Sequence, residues 1–152
     1  MIELALPLSD SVRAVAVLLL EDVLRELSGQ DSFDEVRYAP PPADPDLHET
    51  WLEGLREDHA SDLAAVRRLV AHADFGSETP VSIEPDQAEA ALRGLTAVRL
   101  RIRENQLSDL PDSAMEGGGV EFDTLLPVQQ QGYMAYAVAA ATQERIICLL
   151  ET

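Results

Sequence analysis

Apolar positions recur along this chain at two different spacings. Ile2, Leu4, Leu6 and Leu8 alternate with Glu3, Ala5 and Pro7. That period of two is the pattern of a short strand, and Pro7, which has no N–H to donate to a ladder, confines it to a sheet edge. The spacing then changes to three and four. Ser9 or Asp10 can cap a helix carrying Val12, Val15, Ala16, Leu19, Leu20, Val23, Leu24 and Leu27, with Gly29 as its stop. Residues 30–43 read as a connector ending in Ala39-Pro40-Pro41-Pro42, a run that favours extended polyproline geometry.

Asp44-Pro45 has the form of an N-cap followed by proline at the first helical position. Beyond it Trp51, Leu52, Leu55, His59, Leu63, Val66, Leu69, Val70 and Ala73 keep close to one stripe. One long helix, bent at His59-Ala60-Ser61-Asp62, fits this stripe as well as two short ones, and Gly76 to Pro80 closes it. Val81-Ser82-Ile83 is a second brief strand, and pairing with the first would give a ribbon too small to stand without a helical support. Glu84-Pro85 opens a helix with Ala88, Ala91, Leu92, Leu95, Val98 and Ile102, ending near Gln106. Pro111 and Gly117-Gly118-Gly119 mark residues 108–123 as a mobile loop.

Pro127 lies in the first turn of a last helix reaching about Leu150, whose middle, Gly132 to Ala141, is apolar on every side. That is the signature of a helix buried centrally. Gly132, Ala137, Ala140 and Ala141 are small enough to let a neighbouring backbone approach. The pattern therefore predicts a single, mainly α domain over residues 1–152. It is a bundle of four or five helices around the C-terminal one, with a two-stranded ribbon as an accessory. No internal repeat is present.

Two charges break this pattern. Arg99 falls on the line drawn by Leu92, Leu95 and Ile102, and Glu144 has Ala140, Ala141, Ile147 and Cys148 as its i±3 and i±4 neighbours. An isolated buried charge is costly, whereas a paired one is tolerable. The expectation is a buried Arg99–Glu144 ion pair clasping the last two long helices, with a loss of about 3–5 kcal/mol on removing either partner.

Charge narrows the partners. The 28 acids against 11 bases give a net charge of −17, and every base is an arginine. Without lysine there is no Schiff-base lysine, P-loop lysine or Ser-Lys dyad. So acidic a chain is ill suited to nucleic acid or an anionic membrane, and better suited to a basic protein. Cys148, the one cysteine, sits in Ile146-Ile147-Cys148-Leu149-Leu150 and reads as a buried, unreactive thiol. No signal peptide or membrane-spanning stretch is visible, so a cytoplasmic location is expected.

The search for chemistry returns little. His48, His59 and His72 fall in no Glu-x-x-His, His-Glu-x-x-His or cysteine-histidine arrangement, and Asp58, His59 and Asp62 form at most a weak cation cluster on a solvated helix. There is no Gly-x-Ser-x-Gly, and the three glycines precede no Lys-Ser/Thr. No catalytic residue, cofactor or metal is expected. Arg93, Arg99, Arg101 and Arg103 put four of the eleven bases on one helix. With Arg99 inward, Arg93, Arg101 and Arg103 form a candidate interaction patch for an anion or acidic peptide, near Arg67-Arg68. The alternative is that they pair with nearby acids.

Glu84-Pro85-Asp86, the segment Leu95-Thr96-Ala97-Val98-Arg99-Leu100-Arg101-Ile102, the closing Thr142-Gln143-Glu144-Arg145-Ile146 and the early Leu6-Pro7-Leu8-Ser9 resemble a bacterial, chiefly actinobacterial family. That family is catalogued as domain of unknown function two-thousand-and-seventeen. The chain departs from it at Tyr133 and Tyr136, which stand without tryptophan, and at Glu104-Asn105, where a glycine is frequent. The resemblance implies a small cytoplasmic helical protein with no established enzymatic activity. Genes of that family often lie near the adaptor of the Clp protease, which points to regulation or protein quality control. The expected function is a non-catalytic regulatory or adaptor-type protein-interaction domain, a homodimer. The alternative is a small-ligand-binding or enzymatic bundle with a polar site around Arg99, Glu144, Tyr133 and Gln143.

Overall fold

Ser9 decides where the first helix begins. Its backbone is extended, and its Oγ accepts a hydrogen bond from the Val12 amide at 3.3 Å, so helix α1 runs Asp10–Leu27. Ser28 then closes α1 by donating from Oγ to the Leu24 carbonyl at 2.7 Å. The computed structural model describes residues 1–29, 44–116 and 121–152. The connector over residues 30–43 and the triple glycine at 117–119 lie outside the described residues.

Asp44 caps α2 (Pro45–Ala71) through a bond from the Asp46 amide to its side chain, with Pro45 in the first turn. The stripe through His59 to Asp62 is therefore one continuous helix, because nothing in that segment removes a backbone donor or favours a left-handed residue. Strand β1 (Ile2–Leu4) pairs antiparallel with β2 (Val81–Ile83), placing Ile2 opposite Ile83 and Leu4 opposite Val81. The two short strands thus form the expected ribbon, with Leu4 and Val81 turned into the core. Helix α3 (Pro85–Glu104) opens on Pro85 and stops two residues short of Gln106.

The described residues of the segment after α3, expected as a loop, hold regular structure. The segment contains a single-turn helix α4 (Asp112–Glu116) and a 3₁₀ turn at Phe122–Thr124. Arg103 organises its start, donating to the Leu107 carbonyl, to the Leu110 carbonyl at 2.5 Å and to Asp112 Oδ1 at 2.8 Å. The last helix, α5 (Pro127–Leu150), packs against α1, α3 and β1, while α2 packs mainly on α3. The mainly α bundle with a short ribbon is thereby the observed fold; α5 lies against α1, α3 and β1 and keeps one face, with Ala137, Glu144 and Ile147, at the surface.

Two glycines set the helix spacing. A Cβ on Gly94 would lie 2.5 Å from Val66 Cγ2 and 2.6 Å from the Asp62 carbonyl oxygen, so α2 and α3 meet at this point with no room for a side chain. One on Gly132 would lie 2.5 Å from Gln106 Cβ, so the close approach expected at Gly132 is present. Ala137 is exposed and Ala140 and Ala141 are half-buried, so none of them serves that purpose.

The core runs from Leu4 through Leu20, Leu24, Val66, Leu95, Val98, Ile102 and Leu107 to Ile146. Coverage of α2 is uneven. Its fully buried residues begin at Leu63, whereas Leu47 is exposed and Trp51, Leu52 and Leu55 are half-buried. Among the described residues, no helix is long and apolar enough to cross a membrane.

Candidate functional site

The α3–α5 seam holds the main polar cluster of the interior. Arg99 enters it from α3 and is half-buried. Its Nη1 donates to Gln143 Oε1 at 2.7 Å and its Nη2 to Tyr136 Oη at 3.0 Å, with Cζ 4.7 Å from the Tyr136 ring centroid. The guanidinium is thus held by neutral groups and by the electron-rich ring face. Gln143, only 7% exposed, is itself fixed, since its Nε2 donates to the Leu92 carbonyl and to Thr96 Oγ1, both at 2.9 Å. Arg99 Nε is shielded from solvent and meets no acceptor among the described residues.

The expected Arg99–Glu144 ion pair is not formed. Glu144 is exposed, and the partner on α5 is the preceding residue, Gln143. The reason lies in the phase of α5. Gly132, Ala135, Ala139, Thr142 and Ile146, at spacings of three and four, are its buried line, and Glu144 lies on the opposite side. An amide facing Arg99 also costs less to bury than a carboxylate would. The same phase places Cys148 at the surface, correcting the buried thiol expected from its apolar neighbours. Thr142 stays buried because its hydroxyl donates back to the Val138 carbonyl at 2.7 Å.

The arginine patch is dispersed over three partners. Arg93 meets Asp62 of α2, with its Nε 3.2 Å from each carboxylate oxygen. Hydrogen bonding to Asp62 raises the Arg93 pKa above its ordinary value. Arg101 reaches Glu26 of α1 at 3.3 Å, and Arg103 is taken up by Asp112 and the Leu107 and Leu110 carbonyls. Arg67 and Arg68 donate to Ser28 and Gln87, both at 2.5 Å. The alternative weighed for Arg93, Arg101 and Arg103 is the observed one: they join helices and a turn to local acids. They do not form a shared patch.

Of the three histidines, His48 packs against Trp51 with ring centroids 5.7 Å apart, and His72 Nδ1 accepts from the Asp74 amide at 3.1 Å. Among the described residues no group of three or more His, Cys, Asp and Glu side chains is arranged to hold a metal ion. In the Asp58–His59–Asp62 trio, Asp62 is taken by Arg93.

Among the described residues, four surface grooves stand out, and none of these four is lined by Arg99, Tyr136 or Gln143. One of about 240 Å³ lies between α2 and β2, and one of about 500 Å³ between α1 and the end of α2. Another of about 420 Å³ flanks β1 and the end of α5. The fourth, of about 430 Å³, lies where α3 ends and α5 begins.

Tyr136 and Thr96 are members of the seam cluster that the hydropathy pattern did not single out. Tyr136 precedes Gln143 by seven residues, two helical turns on the same side of α5, and that spacing was the available signal. Tyr133 does not join them and packs instead near Phe122, with ring centroids 6.4 Å apart. Comparison with known proteins returns no match, whether to a family model, a curated protein or a solved structure.

Proposed function

We propose that this protein is a non-catalytic, cytoplasmic regulatory or adaptor-type domain that works by binding other proteins, including a second copy of itself. The observation that carries the reading is the apolar surface left on α2 and α5. Leu47, Leu126, Val128 and Ile147 are exposed, and Trp51, Leu52 and Leu55 are half-covered. Scattered single apolar residues such as Leu18, Leu100 and Ile147 need no account, but Leu47, Trp51 and Leu55, at i, i+4 and i+8, form a run on one face of α2, which is typical of a contact surface. The resemblance to domain of unknown function two-thousand-and-seventeen supports the same role and is itself part of the proposal.

Self-association is assigned to the outward face of α5, where Ala137, Ile147 and Cys148 flank Glu144. Sedimentation velocity at micromolar concentration tests it: a dimer that Ile147→Glu dissociates supports the assignment, and a monomer at all concentrations rejects it. Affinity capture from the native cytoplasm tests the wider reading. A protein retained in stoichiometric amount supports it, and none retained rejects it.

One observation favours a second reading. The acceptor-less, buried Arg99 Nε–H suits a small-ligand or enzymatic site around Arg99, with Gln143 in the place expected of Glu144. This reading requires a small carboxylate to raise the melting temperature of the native protein and leave that of Arg99→Gln unchanged. Equal response of the two would remove it.

A further inference from the structure

The stripe of α2 that buries Leu63, Val66, Leu69 and Val70 continues past the core, toward the start of the helix, as Leu47, Trp51 and Leu55. Leu47 is 57% exposed and the other two are half-buried, whereas Leu18, Leu100 and Ile147 stand singly on their helices. Gly54 lies beside this run. Glycine inside a helix is destabilising relative to alanine, and at Gly94 the close approach of α2 and α3 requires it. At Gly54 a Cβ would meet nothing within 4 Å, so no described neighbour requires it there.

Leu47, Thr50, Trp51 and Gly54, at i, i+3, i+4 and i+7, bound a hole of the kind that takes a side chain from a facing helix, and the missing Cβ of Gly54 leaves it open. On the side of the run where Gly54 lies, Glu53 and Glu57 are exposed, and neither is in an ion pair among the described residues. One turn apart on a helix, two like charges repel. An uncovered apolar run, a helix-interior glycine and a like-charge pair each cost the isolated chain stability. A single occupant relieves the first and third and makes use of the second: a helix with one aliphatic face bordered by cationic side chains. The −17 net charge steers such a partner toward the molecule.

We propose that the first half of α2 docks an amphipathic, basic helix of a partner protein. An aliphatic side chain of the partner enters the hole at Gly54 and packs on Leu47 and Trp51, while an arginine or lysine on its border reaches Glu53 and Glu57. The assignment rests on the reading of the protein as an interaction domain and supplies that reading with a surface and a partner chemistry.

Fluorescence anisotropy of the full chain tests it, using a fluorescein-labelled helical peptide with one leucine face bordered by arginines, and a twin with citrulline in place of arginine. Gly54→Leu fills the hole, and Glu53→Gln/Glu57→Gln removes the paired charges. Each should weaken the arginine peptide by about tenfold, equivalent to about 1.4 kcal/mol, while melting no lower than the native chain. Glu78→Gln/Glu151→Gln removes the same charge at exposed positions outside α2 and should change binding by less than about twofold. The citrulline peptide should bind about tenfold or more weakly.

Equal weakening by the Glu78/Glu151 variant would mean diffuse attraction and overturn the proposal. Undiminished binding by Gly54→Leu, a lower melting temperature for that variant, equal binding of the two peptides, or no binding of the arginine peptide would overturn it as well. If any of these occurs while a cytoplasmic partner is still captured, the α2 assignment falls and the interaction reading stands. If no partner is captured at all, the reading itself falls.

Discussion

The same substitution, glycine to alanine, should have opposite signs at two positions that α2 and α3 bring into one account. At Gly94 the new methyl would lie 2.5 Å from Val66 Cγ2 and 2.6 Å from the Asp62 carbonyl oxygen, whereas at Gly54 nothing lies within 4 Å. Alanine gains about 0.8–1 kcal/mol over glycine inside a helix. At Gly54 that gain is unopposed, so Gly54→Ala should stabilise by about 0.5–1 kcal/mol. At Gly94 the obstructing oxygen is backbone and can yield only by displacing α2. Overpacking of this kind costs about 1–3 kcal/mol, and here the upper part of that range applies. Subtracting the helical gain leaves Gly94→Ala destabilised by about 1–2 kcal/mol.

Urea unfolding followed by far-ultraviolet circular dichroism reads the difference. With a slope of about 1.5 kcal/mol per molar, the Gly94→Ala midpoint falls by about 1 M and that of Gly54→Ala rises by about 0.5 M. An unchanged or raised midpoint for Gly94→Ala would refute the close contact of α2 and α3 on which the fold rests.

Four further outcomes follow from the placement of α5. Gln143→Ala should destabilise by about 2–3 kcal/mol, because it orphans Arg99 Nη1 as well as removing a buried amide. Glu144→Ala should stay within about 0.5 kcal/mol. Similar losses for the two in denaturant melts would return α5 to the phase its sequence suggested. Gly132→Ala should cost about 1–2 kcal/mol against Gln106 Cβ, and a neutral result in the same melts would contradict that packing. Cys148, exposed on α5, should react with a thiol reagent in the native protein at a rate close to that of the unfolded chain. A lag matching global unfolding would place it in the core.

Much of the fold was legible because its boundaries are written in local chemistry. Ser9, Asp44-Pro45, Glu84-Pro85 and Pro127 each mark a helix start through a cap or a missing N–H, and the structure uses all four. The phase of α5 was not legible in the same way. From Ala135 to Ala141 nearly every position is apolar, so hydropathy cannot say which side is buried. Close packing chose instead, favouring the line of Gly132, Ala135 and Ala139 that lets α3 and its following turn approach.

The seam cluster was half legible for the same reason. Arg99 was placed correctly because α3 alternates sharply between polar and apolar sides. Its partner was misassigned by one residue, since charge complementarity pointed to Glu144 and helix phase selected Gln143. The fate of Arg93, Arg101 and Arg103 depends on acids at Asp62, Glu26 and Asp112. All three acids come from other helices, α2, α1 and α4, and nothing in the local sequence indicates that they would meet.

The claim that this domain acts by holding a basic protein partner is tested most directly by quantitative capture from the native cytoplasm across a salt series. The native chain serves as bait beside an unrelated domain of equal net charge. The account predicts a protein retained in stoichiometric amount by the native chain alone and released as salt rises, since charge contributes to its attachment. Retention of the same proteins by both baits, or of none by either at low salt, would contradict it.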